Sequence, residues 1–184
     1  AFSTLSTENA DYRMTNKDAK CLKYCKNLEL LDIGHNAVTD LSFLEYMPEL
    51  RVLILMGNRD TKNGGYIKDL SELKYCPKLV YLEIFQNSVS DLSFLSYLPN
   101  LKDFNMVYNY ADDIKYLKNL PNIERLYIAN NKFSDEDCEY LKKLYPNAQV
   151  EYKLRTPIDK GWREHPRYNA LRNSISLYLN FIIF

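Results

Sequence analysis

Pairs of apolar residues separated by a single position recur along the chain: Leu31 and Ile33, Leu53 and Leu55, Leu82 and Ile84, Phe104 and Met106, Leu126 and Ile128. Such alternation places one face of a short strand inside and the other outside. Each pair is followed by an asparagine, Asn36, Asn58, Asn87, Asn109 and Asn131, at spacings of 22, 29, 22 and 22. Each is preceded at the same spacing by an opening apolar residue, Leu28, Leu50, Leu79, Leu101 and Ile123. Asp40, Asp69, Asp91 and Asp113 share one register, as do Pro48, Pro77, Pro99 and Pro121. A fixed period in several independent columns predicts a stack of identical units whose parallel strands lie about 4.8 Å apart. The strand pairs form one continuous core, and the asparagine amides turn the chain while satisfying backbone groups inside it. Segments such as DLSFLEYM after each aspartate read as one or two helical turns on the opposite face, with Asp as the N-cap and Pro as the stop.

The unit L-x-x-L-x-L-x-x-N resembles the leucine-rich repeat. The 22-residue period with Asp four places after Asn is similar to the subtype of bacterial internalin-type surface proteins and of eukaryotic phosphatase-regulating scaffolds. The match runs from residue 28 to about 150. It implies an α/β right-handed solenoid with a parallel concave sheet, short helical or 3-10 turns on the convex side, and a cap at each end. The motif specifies fold far better than function.

Residues 18 to 27, DAKCLKYCKN, align with DLSFLEYMPE, so 1–27 is expected to be an N-terminal cap with a degenerate repeat, Phe2 to Thr7 offering a first strand. The array of five repeats and a final strand spans 28–154, and 155–184 is a C-terminal cap or tail. The 29-residue unit carries seven extra residues in a loop around RDTKNGGY, turned by Asn63 and the glycines after it. SDEDCEYLKKLYPN reads as a longer helix capped by Ser134, and Val150 with Tyr152 as a last strand. In the tail, Pro166 can open a helix with Tyr168, Leu171, Ile175 and Leu179 on one face, while Ile175, Leu177, Leu179 and Phe181 alternate as a strand would. The tail either caps the array, with Trp162 packed on the last repeat, or is an exposed apolar segment that pairs with a second copy, giving a homodimer, or with another protein.

The register puts a second set of residues on the concave surface. Val52, Ile54, Met56, Tyr81, Phe85, Val107, Tyr108 and Tyr127 compose an apolar and aromatic strip, with Asn105 beside them and Asp32, Glu83, Asp103, Arg125 and Glu151 setting orientation at its margin. The repeat's own core does not require these residues, and an exposed strip of this kind marks a partner site. The competing expectation is that the insertion loop or the tail folds back over it. Tyr24, Tyr46, Tyr75 and Tyr97 form a separate convex ladder, explained by packing with wet hydroxyls.

Composition narrows the chemistry. The 184 residues hold 24 Lys+Arg and 24 Asp+Glu, so no basic footprint for nucleic acid exists in the total, although residues 151–184 carry six cations against three anions. The longest apolar run, Leu179 to Phe184, is too short to insert in a membrane. Four cysteines form no CxxC pair, and Cys25 and Cys76 fall in a core column. The two histidines, His35 and His165, neighbour no nucleophile motif. Phosphate-binding glycine motifs do not occur, and the acidic run Ser134 to Asp137 lacks calcium-loop spacing. No catalytic residue, metal or cofactor is therefore assigned. The chain begins at Ala1 and is expected to be a mature or trimmed form. The sequence points to a non-catalytic protein-binding module. The resemblance implies a secreted or cell-surface bacterial setting, or alternatively an intracellular regulatory scaffold in the cytoplasm.

Overall fold

The structure is a computed structural model that describes residues 2–3, 13–62, 64–153, 161–162, 164–167, 169–170 and 173. The elements follow the repeat. Strand β1 is Phe2–Ser3, and helix α1, Asn16–Ala19, runs into a 3-10 helix at Lys20–Tyr24. Then come β2 (Leu30–Asp32), β3 (Val52–Ile54), β4 (Arg59–Asp60), β5 (Gly65–Tyr66), β6 (Tyr81–Glu83), β7 (Asp103–Asn105) and β8 (Arg125–Tyr127). Helix α2 (Asp135–Leu144) and β9 (Gln149–Glu151) follow. Seven strands form one sheet in the order β1-β2-β3-β6-β7-β8-β9. All of its pairings are parallel, and Leu31, Leu53, Leu82, Phe104, Leu126 and Val150 stand opposite one another strand by strand. Opposite the sheet, 3-10 helices at Ser42–Tyr46, Ser71–Tyr75 and Ser93–Tyr97 stack on one another.

Between the two layers lies a core mainly of leucine, isoleucine, valine, phenylalanine and methionine, which includes all eight strand residues from Leu53 to Ile128 assigned inward by the alternation. Burying each such side chain is worth roughly 2 kcal/mol. Only the stacking of neighbouring units supplies that burial.

Each aspartate caps its turn from one position further out than expected. The residue before each 3-10 helix, for example Leu41 or Leu92, makes no side-chain cap bond. Instead Asp40, Asp69, Asp91 and Asp113 accept from the backbone N–H two residues on, at 3.0, 2.8, 2.8 and 2.7 Å. A carboxylate closing a turn on its own backbone starts the helical turn without being its formal N-cap. Ser134 does cap α2, accepting from the Asp137 N–H at 3.0 Å. The N-terminal end is tied on by Asn16, whose Oδ1 accepts from the N–H groups of Thr39 and Asp40.

The insertion in the second repeat is a β-hairpin, with β4 antiparallel to β5 and Arg59 over the Tyr66 ring at 5.3 Å. Residues 4–7 of the suggested first strand, and the tail positions Tyr168, Leu171, Ile175, Leu177, Leu179 and Phe181, lie outside the described residues. Pro166, Arg167, Asn169, Ala170 and Asn173 are helical.

Candidate interaction face

The asparagine column links consecutive repeats. Asn109 donates from Nδ2 to the carbonyls of Ile84 and Met106 at 2.9 and 3.0 Å, while its Oδ1 accepts from the Val89 N–H at 3.0 Å. Asn58, two repeats before, and Asn131, one repeat after, make the same bonds, and Asn36 accepts from the Met14 N–H at 2.8 Å. Asn87 is the exception, because its buried Oδ1 has no donor among the described residues. In the other rungs the donor sits two places after the preceding asparagine. After Asn58 that place is Asp60, which the hairpin diverts into β4. The residue before each asparagine adopts a left-handed backbone: His35, Gly57, Gln86, Tyr108 and Asn130 all have φ between 54° and 59°. Only Gly57 does so without steric cost.

On the concave surface, two rows of side chains cross the sheet. Cross-strand register aligns Leu30, Val52, Tyr81, Asp103, Arg125 and Gln149 in one row. Asp32, Ile54, Glu83, Asn105, Tyr127 and Glu151 form the next. The predicted strip is thus assembled, but it is not open to solvent. Val52, Ile54, Met56, Tyr81, Glu83, Phe85, Asn105, Val107, Arg125 and Tyr127 are all buried, and of the eleven predicted residues only Tyr108 is exposed, at 46%. It stacks edge-on to Phe85, with ring centroids 5.7 Å apart.

The strip joins a second apolar cluster that includes Trp162. The indole lies between Tyr81 and Tyr127, with ring centroids at 5.2 and 5.0 Å, so it reaches across the concave face and does not merely pack on the last repeat. Its Nε1 donates to Glu83 at 3.0 Å, and its carbonyl accepts from Arg125 Nη1 at 3.0 Å. The Arg125 guanidinium carbon stands 4.1 Å from the indole centroid. Glu83, Asp103 and Arg125, read as a polar margin, are instead the buried centre. Arg125 donates from Nε to Asp103 Oδ1 at 2.6 Å, and Arg167 donates from Nη1 to Asp103 Oδ2 at 2.5 Å. Arg167 also donates from Nη2 to Glu124, which in turn pairs with Lys102 at 2.9 Å. Hydrogen bonds from Lys102 and Arg167 hold the Glu124 carboxyl below its usual range. Burial lowers His165, and the Arg125 and Arg167 charges add to that.

Trp162 and Arg167 were not picked out by sequence reasoning as members of the face. Two signals pointed to them. The chain has one Trp, and it lies in the tail. Asp103 and Arg125 stand directly opposite on adjacent strands, a pairing of opposite charges that needs a lid to become buried.

The convex tyrosines Tyr24, Tyr46, Tyr75 and Tyr97 are exposed, with Lys23 and Lys74 over the rings of Tyr24 and Tyr75. Cys76 is buried, and loss of solvation pushes its thiol up to about 12; the same effect takes Cys138 to about 11. Among the described residues, no group of three metal-ligating side chains converges and no helix is long and apolar enough to cross a membrane.

A family model described as "Leucine Rich repeat" matches residues 24–41. Across 71% of this chain and 38% of the other, the fold is similar to an internalin of Listeria monocytogenes, at 29% identity and a TM-score of 0.60. A leucine-rich-repeat protein of Leptospira interrogans is similar over 71% of this chain and 33% of its own, at 25% identity and a TM-score of 0.61. Dynein axonemal assembly factor 1 of Mus musculus is 53% identical over 49 residues, which cover 25% of this chain and 8% of that protein. The chain therefore matches less than a tenth of the length of that curated relative.

Proposed function

We propose that this chain, a leucine-rich repeat solenoid, is a non-catalytic module that recognises another protein through the concave face of its parallel sheet. One observation carries the reading: the face already seats a peptide segment by an indole, a main-chain carbonyl and a guanidinium, the contacts by which one protein reads another. The exposed ring of Tyr108, stacked on Phe85, extends the same face, where an incoming chain would meet it.

The setting we propose is secreted or cell-surface and bacterial, with repeats of the 22-residue internalin-like subtype. This is supported by the asparagine spacing and by similarity to the Listeria internalin over 71% of the chain. An intracellular scaffold is the second reading, favoured by the 49-residue likeness to dynein axonemal assembly factor 1 and by the unpaired buried thiols of Cys76 and Cys138.

A photo-crosslinking residue placed at Tyr108, and in parallel at Tyr75 on the convex side, tests the face in the native host. A partner adduct from 108 with none from 75 is the expected result, and the reverse pattern would move the site to the convex ladder. Protease treatment of intact cells separates the two settings, since only a surface protein is cleaved.

A further inference from the structure

We infer that the concave face is a peptide groove selective for a tryptophan followed five positions later by a cation, and that Trp162 and Arg167 are its internal occupant. The inference rests on the concave face being the recognition face and names the chemistry of what it reads: a linear segment of a partner protein carrying that pattern.

Four features of the face argue for this. The occupant is remote in sequence, with Trp162 lying 79 residues from Glu83 and Arg167 lying 64 from Asp103. It contributes nothing to the solenoid's own core, because the leucine cluster between sheet and turns is separate from the cluster that contains Trp162. The repeats can therefore keep their packing when the groove is vacated.

Charge sets the selectivity. Arg167 bridges two carboxylates of the floor, Asp103 and Glu124, which Arg125 and Lys102 pair with from the other side. Removing Arg167 strips Asp103 Oδ2 of its cation and leaves this fully buried carboxylate with Arg125 at Oδ1 alone, a demand for a replacement cation. The same complementarity holds at large, since residues 151–184 carry an excess of three cations and the rest of the chain an equal excess of anions.

Finally, Arg125 is only 3% exposed and its Nη2 has no acceptor among the described residues. A buried donor left open beneath the indole is a point of attachment that Trp162 and Arg167 do not use. A partner segment with a carbonyl or carboxylate there would bind more completely than the occupant it replaces.

The test uses the full chain with Trp162→Ala, which contains no other tryptophan, and a synthetic peptide of residues 158–170, IDKGWREHPRYNA. The peptide's indole emission should shift to the blue on saturable one-to-one binding. A fluorescein-labelled copy should bind this variant at least tenfold more tightly than wild type, whose groove is occupied. Replacing Trp in the peptide by Ala, the Arg five places after it by Glu, or Asp103 by Asn in the variant should each weaken binding at least tenfold. Arg167→Glu, which leaves the indole in place, should bind the labelled peptide at least threefold more tightly than wild type. The inference falls if a scrambled peptide binds equally, or if neither variant binds. It falls also if Trp162→Ala loses its circular dichroism signal, because the segment is then an obligatory cap. Light scattering that shows exchanged dimers would make the occupant a second copy and overturn the assignment to a partner. A partner adduct from position 108 together with peptide failure would sink the tryptophan and cation pattern while leaving recognition by this face intact.

Discussion

At the scale of single residues, the asparagine amide matters more than its size suggests. Substituting Asn109 by Ala strips the buried carbonyls of Ile84 and Met106 and the Val89 N–H of their partners. Unmet buried groups of this kind cost about 3 kcal/mol together, readable by urea denaturation. Asn87→Ala should cost about 1 kcal/mol less, since its Oδ1 has no donor to lose. The asparagine column was legible from spacing, but the missing rung was not, because it depends on where the hairpin sends a backbone N–H. The left-handed column was missed for a related reason. His35, Gln86, Tyr108 and Asn130 are not glycines, and only Gly57 advertises the conformation. His165 offers a second prediction at this scale. Burial, with Arg125 and Arg167 nearby, lowers its pKa from 6.5 and outweighs the opposing pull of Asp103 and Glu124. A base with a depressed folded pKa favours the closed state above pH 6.5 and loses that contribution as pH falls below it. Glu124, lowered from 4.5, acts in the same direction at lower pH. Emission from the single tryptophan should therefore move to the red between pH 8 and pH 5, and His165→Gln should flatten the part of that change above pH 5.

At the scale of elements, strands and turns were readable because each is short, periodic and repeated, so an error in one unit would be corrected by its neighbours. Helix α2 was readable from Ser134 and its carboxylates, which the N-terminal end of a helix favours. The hairpin was seen as a loop because its two-residue strands are too short for any pattern. Its removal makes the clearest element-scale prediction. Deleting residues 60–66 restores the 22-residue unit and sets the Ile67 N–H two places after Asn58, where the other rungs have their donor. The shortened chain should be more stable than wild type by about 1 kcal/mol in urea denaturation, the worth of one completed buried hydrogen bond. A hairpin that packs firmly on the sheet would instead make the deletion destabilising. The concave face was legible as a set of residues but not as a surface. Strand register places Tyr81, Glu83 and Arg125 together from sequence alone, whereas the cover comes from a segment outside the repeat that no period can locate.

At the scale of the molecule, a solenoid holds together by contacts between neighbours, so local stability declines toward the ends. The Trp162 segment adds a long-range tie that spans β6, β7 and β8. Trp162→Ala should raise amide exchange in those three strands at least tenfold, while the 3-10 helix at Lys20–Tyr24, whose Leu22 belongs to the separate leucine cluster, remains as it was. Uniform acceleration along the chain would mean that the segment supports the whole array and not three strands.

The same tie bears on how such an array can change length over generations. Units of one register can be gained or lost by duplication and deletion of the coding sequence, because every new neighbour finds the same strand and the same asparagine. That freedom holds from Leu28 to the strand before Tyr81. Between Glu83 and Arg125 it ends: one added unit would part the two side chains that grip Trp162 by about 4.8 Å. Lineages carrying this segment should vary in repeat number on the N-terminal side of β6 and keep three consecutive units, from β6 to β8, fixed in count.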